Sequence, residues 1–176
     1  MQYLQRNCFT PLIGDATLVP LRGTTSRALH DEIMAIGGPF HLVLTDLGEG
    51  DIMESFLKGC KHVVSCSIHA PKITRIGDFF LLGCTSLSSF DTSGLTSVTT
   101  IAVDFLGGCT LLSSFDTSGL TSVTRIGNGF LQGCTSLSSF DTSGLTSVTR
   151  IGPRFLGGCV LLFTKPTVGD IYLARI

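Results

Sequence analysis

The chain has 176 residues, a formal net charge of −1 and a pI of about 6.4. It is 43% hydrophobic and 14% charged, with a mean hydropathy of +0.44, which supplies a core and excludes the charge-rich composition of a disordered segment. Near-neutrality without a basic stripe argues against nucleic acid or an anionic membrane as a partner, and no apolar run reaches the roughly 18 residues of a membrane helix.

The opening segment MQYLQRNCFTPLIGD has no charged n-region followed by an apolar h-region, so no secretory signal is expected. A complete chain of this kind would be expected in the cytoplasm. TSRALHDEIMAIGGP (25–39) then reads as one short helix. Thr25 or Ser26 can cap it, Leu29, Ile33 and Ile36 form an apolar stripe, and Gly37 with Pro39 stop it. FHLVLTDLGEGDIMES (40–55) resembles a degenerate first turn of the repeats that begin at Phe56.

From Phe56 the chain repeats itself. The unit Phe56–Phe79 is followed by three units of 25 residues starting at Phe80, Phe105 and Phe130, and by a fifth that loses the pattern after Leu162. SSFDTSGLTSVT stands unchanged at 88–99, 113–124 and 138–149. Within one unit the apolar positions are Phe80, Cys84, Leu87, Phe90, Leu95, Val98 and Ile101. Steps of three and four imitate an amphipathic helix, but the intervening residues are Ser, Thr and Gly, which favour turns and strands. Each unit is therefore expected to be one coil of a solenoid, since a lone unit cannot bury these positions. A strand is expected from about Leu87 to Thr92. DTSG makes a type I turn, LTSVTTI returns extended, and DFLGGC swings round as a short turn or 3₁₀ piece.

The order Cys, x-x-Leu, x-x-Phe, Leu, Val, Ile-Gly, Phe, x-x-x-Cys resembles the BspA-like (Treponema pallidum-type) leucine-rich repeats from about Phe56 to Leu162. Departures are units of 25 residues where the family's are usually shorter, Phe90, Phe115 and Phe140 in place of Ile, and Ser93, Ser118 and Ser143 near the usual Pro. The resemblance implies a right-handed leucine-rich repeat solenoid, with parallel β-strands on the concave face and few helices beyond an N-terminal cap. The expected organisation is a cap over 1–40, coils over 41–162 and a C-terminal cap or truncated coil over 163–176. The resemblance also implies a recognition scaffold, in a family linked to surface adhesion and to host or partner contact.

Alternation points Ser89, Asp91, Ser114, Asp116, Ser139 and Asp141 away from the core. The aspartates can form an acidic strip for a basic protein partner or a cation. Each can equally accept a hydrogen bond from a backbone N–H two residues on. The serines can bind sugar or peptide, or simply keep a low-charge surface solvated. The seven cysteines are Cys8, Cys60, Cys66, Cys84, Cys109, Cys134 and Cys159. They follow the repeat rather than a zinc spacing, so the ladder Cys84, Cys109, Cys134, Cys159 is expected in the core. Cys60, His62, Cys66 and His69 can be drawn as a metal site, but the ligand spacing is absent. Arg75, Arg125 and Arg150 are expected as solvated charges on a different face from the aspartates. No nucleophile motif, phosphate loop or HExxH appears. The expected function is non-catalytic binding of a protein partner by a monomer, with no cofactor, no metal, no nucleic acid and no membrane insertion. The alternatives are a carbohydrate-binding or adhesive surface built on the Ser/Thr ladders, and a purely structural piece of a larger protein.

Overall fold

The structure, a computed structural model, describes residues 17–22, 25–45, 47, 49–162 and 166. The leading segment, Cys8 and nearly all of the expected C-terminal cap lie outside the described residues. In chain order the elements are β1 (Thr17–Arg22), α1 (Arg27–Met34), β2 (Phe40–Thr45), β3 (Gly50–Ile52), β4 (Val63–His69), β5 (Ile73–Ile76), β6 (Ser89–Asp91), β7 (Thr100–Ile101), β8 (Ser114–Phe115), β9 (Arg125–Ile126), β10 (Ser139–Phe140) and β11 (Arg150–Ile151).

Ser26 caps α1, its hydroxyl accepting from the Leu29 N–H at 3.2 Å. Thr25 does something else: its hydroxyl accepts from the Met53 N–H at 2.8 Å and ties the helix entry to β3. Ile33 is buried, and Leu29 and Ile36 pack against the same core.

From β2 onward the chain winds into a solenoid of about five turns, each contributing one strand to each of two parallel rows. The first row runs β1-β2-β4-β6 and then β8-β10; the second runs β3-β5-β7-β9-β11. The first row is the strand expected in SSFDTS, shortened to two or three residues by the DTSG turn. The second is a true strand row where only an extended return was expected. Arg75, within β5, and Thr100, Arg125 and Arg150, which open β7, β9 and β11, are register partners in successive coils.

Between the two rows lies an aromatic core. Phe56, Phe80, Phe105, Phe130 and Phe155 stack coil on coil, with ring centroids 5.4–6.4 Å apart and planes within 15°. Phe90, Phe115 and Phe140 form a second stack at 6.0–6.1 Å. The stacks meet edge to face, as for Phe90 and Phe105 at 5.5 Å and 90°. Offset and T-shaped pairs are the arrangements a ring quadrupole favours, worth about 0.5–1.5 kcal/mol each beyond area burial.

The FLGGC segment is the turn of the two alternatives, not a 3₁₀ piece. Leu81, Leu106, Leu131 and Leu156 have φ of 52–54°, a left-handed conformation that costs a non-glycine residue about 1–3 kcal/mol. Neighbouring coils hold it there. The N–H of Leu106 donates to the Phe80 carbonyl at 3.0 Å, and Leu131 repeats this with Phe105. The Leu81 carbonyl accepts from the Cys84 N–H and from the Cys109 thiol. At the N-terminal end Leu57 has the same conformation, and its N–H donates to His30 Nδ1 at 3.0 Å. The buried imidazole of α1 stands where an earlier coil would offer a carbonyl, and its ring meets Phe56 edge-on.

The DTSG turn is built against the coil before it. Register partners differ by 24 residues at Ser67 and Asp91 but by 25 at Arg75 and Thr100. The extra residue falls within this turn, where buried Ala70 and Leu95 correspond one residue out of step. A Cβ on Gly94 would overlap the Ile68 carbonyl; on Gly119, the Thr92 carbonyl; on Gly144, the Thr117 carbonyl. Glycine is required for close approach, and Gly119→Ala is expected to destabilise the array by more than about 1 kcal/mol. A urea melt of this variant that superimposes on wild type would remove that role.

Candidate functional site

Ser89, Asp91, Ser114, Asp116, Ser139 and Asp141 are all exposed, while Phe90 and Phe115 between them are buried and Phe140 is half-buried. Period-two alternation produces this division. Ser139 and Ser114 are register partners, so hydroxyls and carboxylates recur coil by coil along the first row. The acidic strip starts at Asp91; the preceding coil has Ser67 at that register. In that earlier coil Ser65 Oγ instead lies 2.5 Å from His41 Nδ1.

Each carboxylate also serves its own turn. Asp91 Oδ1 accepts from the Ser93 N–H at 2.9 Å, Asp116 Oδ1 from Ser118 at 2.7 Å, and Asp141 Oδ1 from Ser143 at 3.1 Å. The hydroxyls of Ser118 and Ser143 donate to Oδ2 of Asp116 and Asp141. These bonds favour the ionised form, and the Ser143 hydroxyl above all holds the Asp141 carboxyl below the usual aspartate range. The turns therefore fix the rotamers of the exposed acids and present them as a rigid row.

The threonine of DTSG carries a role that sequence reasoning does not reach. Thr92 and Thr117 are buried. Thr92 Oγ1 donates to the Asp116 carbonyl at 3.0 Å and accepts from the Gly119 N–H at 3.3 Å; Thr117 Oγ1 accepts from Gly144 at 3.0 Å. Each thus pins the next acidic turn to the coil beneath it. The signal is present in the unvarying Thr after each Asp, but only coil-to-coil contact gives it meaning.

The cysteine ladder is core. Cys60, Cys66, Cys84, Cys109, Cys134 and Cys159 are all buried. The thiols of Cys84, Cys109, Cys134 and Cys159 donate to the carbonyls of Leu57, Leu81, Leu106 and Leu131 at 3.1–3.4 Å. Burial pushes the Cys84 and Cys134 thiols up to about 12, with neighbouring ladder thiols adding to the shift. Cys66 and Cys109 are raised further for the same reason. Cys60 and Cys66 point into the core while His62 and His69 are exposed, and no group of three metal-ligating side chains gathers among the described residues.

Arg75, Arg125 and Arg150 lie in the second row, each at the start of a coil's return strand or within it. They are thus separated from the aspartates by the width of a coil. Among the described residues no helix is long and apolar enough to cross a membrane.

This two-row, cysteine-laddered solenoid is a leucine-rich repeat array. Residues 50–165 match the BspA type leucine rich repeat region in six copies, so the chain belongs to that family. Among solved structures it is similar to a leucine rich cell surface protein from Faecalibacterium prausnitzii A2-165, at 19% identity and a TM-score of 0.52, over 88% of this chain and 44% of that one. It also matches the leucine rich repeat protein of T. pallidum, at 18% identity and a TM-score of 0.39, over 79% of this chain and 76% of that one. At 19% identity the likeness to the Faecalibacterium protein shows the fold alone. The chain spans less than half of the Faecalibacterium protein's length. No curated protein matches the chain.

Two outcomes are expected from this geometry. In a Cys8→Ser variant, alkylating reagent at neutral pH should leave the ladder thiols unmodified until denaturant is added, because they are buried and protonated; rapid native labelling would refute the buried ladder. Asp141 should titrate below the ordinary aspartate value of about 3.9 in a carboxyl NMR titration. Because its folded pKa is depressed, its stabilising effect is present above the unfolded value and is lost as pH falls through the folded one. An unshifted titration would mean that the Ser143 contacts do not persist in solution.

Proposed function

We propose that the array is a non-catalytic recognition scaffold that binds a protein partner through the first strand row, using Ser89, Asp91, Ser114, Asp116, Ser139 and Asp141. The observation that carries this reading is the fixed acidic row itself. Three exposed carboxylates are each locked by their own turn and mounted on a stacked aromatic core. Holding the side chains in one rotamer before contact lowers the entropy lost on binding. Membership of the leucine-rich repeat family supports a scaffold role. A complementary partner would present basic side chains at the spacing of the coils, and its affinity would come from several weak contacts across a rigid surface.

Replacing Asp91, Asp116 and Asp141 together by Asn keeps an oxygen to accept from Ser93, Ser118 and Ser143, so the circular dichroism spectrum should be unchanged. Three exposed ion pairs of about 0.5 kcal/mol each amount to roughly a tenfold weaker Kd. The measurement is a titration of wild type and triple variant against a basic partner identified by pull-down and sequencing. Equal affinities at low salt would exclude the acidic row as the contact.

A further inference from the structure

The second strand row carries a feature that the acidic row does not explain. Arg125 and Arg150 are register partners on adjacent parallel strands, with backbones about 4.8 Å apart. Both are exposed, and among the described residues neither makes an ion pair. Two like charges are thus held side by side without compensation. Arg75 lies on the same row one coil beyond Thr100, the residue that interrupts the series. Its Nε is 3.8 Å from Asp51 Oδ2, so it is partly neutralised. These arginines line an open groove of about 540 Å³ that crosses successive coils, and Asp78 and Asn128 line it with them. Asp78 Oδ1 is already engaged by the Val103 N–H.

We propose that this groove binds a linear sulfated polysaccharide, with one sulfate bridged by Arg125 and Arg150 and a second anionic group reaching Arg75. The charge pattern selects the ligand. One guanidinium fork satisfies a carboxylate, whereas two adjacent forks suit a tetrahedral oxyanion with three terminal oxygens. The groove is open and runs from coil to coil, which fits a chain of repeated anions better than one enclosed ion. No aromatic side chain lines it, so a nucleic-acid base has nothing to stack on. Its apolar lining is buried at Ile101 and Ile126 and half-buried at Val103 and Ile151, so no fully exposed apolar side chain stands there to anchor a peptide. Thr100 and Asn128 can meet sugar hydroxyls. The site is on a different strand row from the acidic surface and does not depend on it.

The test uses the full chain and heparin as the probe, read by calorimetry and by elution from a heparin column. Arg125→Gln with Arg150→Gln should weaken binding at least tenfold and shift elution to lower salt, with an unchanged thermal melt. Thr100→Arg should fill the gap in the row and tighten binding at least threefold. Lys58→Gln with Lys61→Gln, off the row, should have little effect, and Asp91, Asp116 and Asp141→Asn should leave the loss caused by the arginine variant in place. Chemically desulfated heparin should not bind, and polyglutamate or polyphosphate of equal charge should compete poorly. Equal affinity of wild type and the arginine variant overturns the proposal. So does an equal loss in the lysine variant, or equal competition by polyglutamate or polyphosphate, since either would show a general attraction to polyanions.

Discussion

Every feature of this molecule depends on coils being stacked in register, and the phenylalanine stacks fill the core that the coil-to-coil backbone hydrogen bonds space. A ring from each coil lies flat on the ring of the next, while the second stack meets the first edge-on. Neither stack exists within one coil. The stabilising contacts are therefore between neighbours, and the array behaves as a one-dimensional assembly in which each coil is folded by the one beside it. A shift of one residue within the strand at Phe90 would put Ser89 or Asp91 where a ring belongs, and the one-residue difference between coils is absorbed in the turn instead.

That neighbour dependence lets the chain hold a strained turn. Leucines at positive φ are unfavourable alone, yet one recurs in every coil because its N–H, carbonyl and side chain are all engaged by adjacent coils. The cysteines belong to this device. Their small, weakly polar side chains fit the core and place a thiol donor on the leucine carbonyl. His30 shows how the series begins: the first left-handed leucine has no phenylalanine carbonyl below it, so α1 provides a ring nitrogen.

Coil geometry also separates charge. The acid of DTSG ends one strand row and the arginine begins the other, nine residues later in the chain, as for Asp116 and Arg125. Over residues 80–162 the other charged side chains are only Asp104 and Arg154, so a nearly neutral chain presents an acidic row and a basic row that do not neutralise one another. Overall charge, which by itself argues against a basic surface, averages over this separation.

The repeated SSFDTSGLTSVT determined the solenoid, the inward set Phe90, Leu95 and Val98, and the outward set Ser89 and Asp91, because a repeat in register leaves one way to bury its apolar positions. The core placement of the cysteine ladder was legible for the same reason, and the turn role of Asp91 followed from its Ser and Gly neighbours. Legibility ended where contacts between coils decide. The sequence alone could not show that Thr92 is buried and pins the turn above it, that Gly119 faces a carbonyl, that His30 closes the first coil, or that Arg125 and Arg150 stand side by side. Each pair is separated by roughly one repeat or more along the chain, and becomes adjacent only when the coils are stacked.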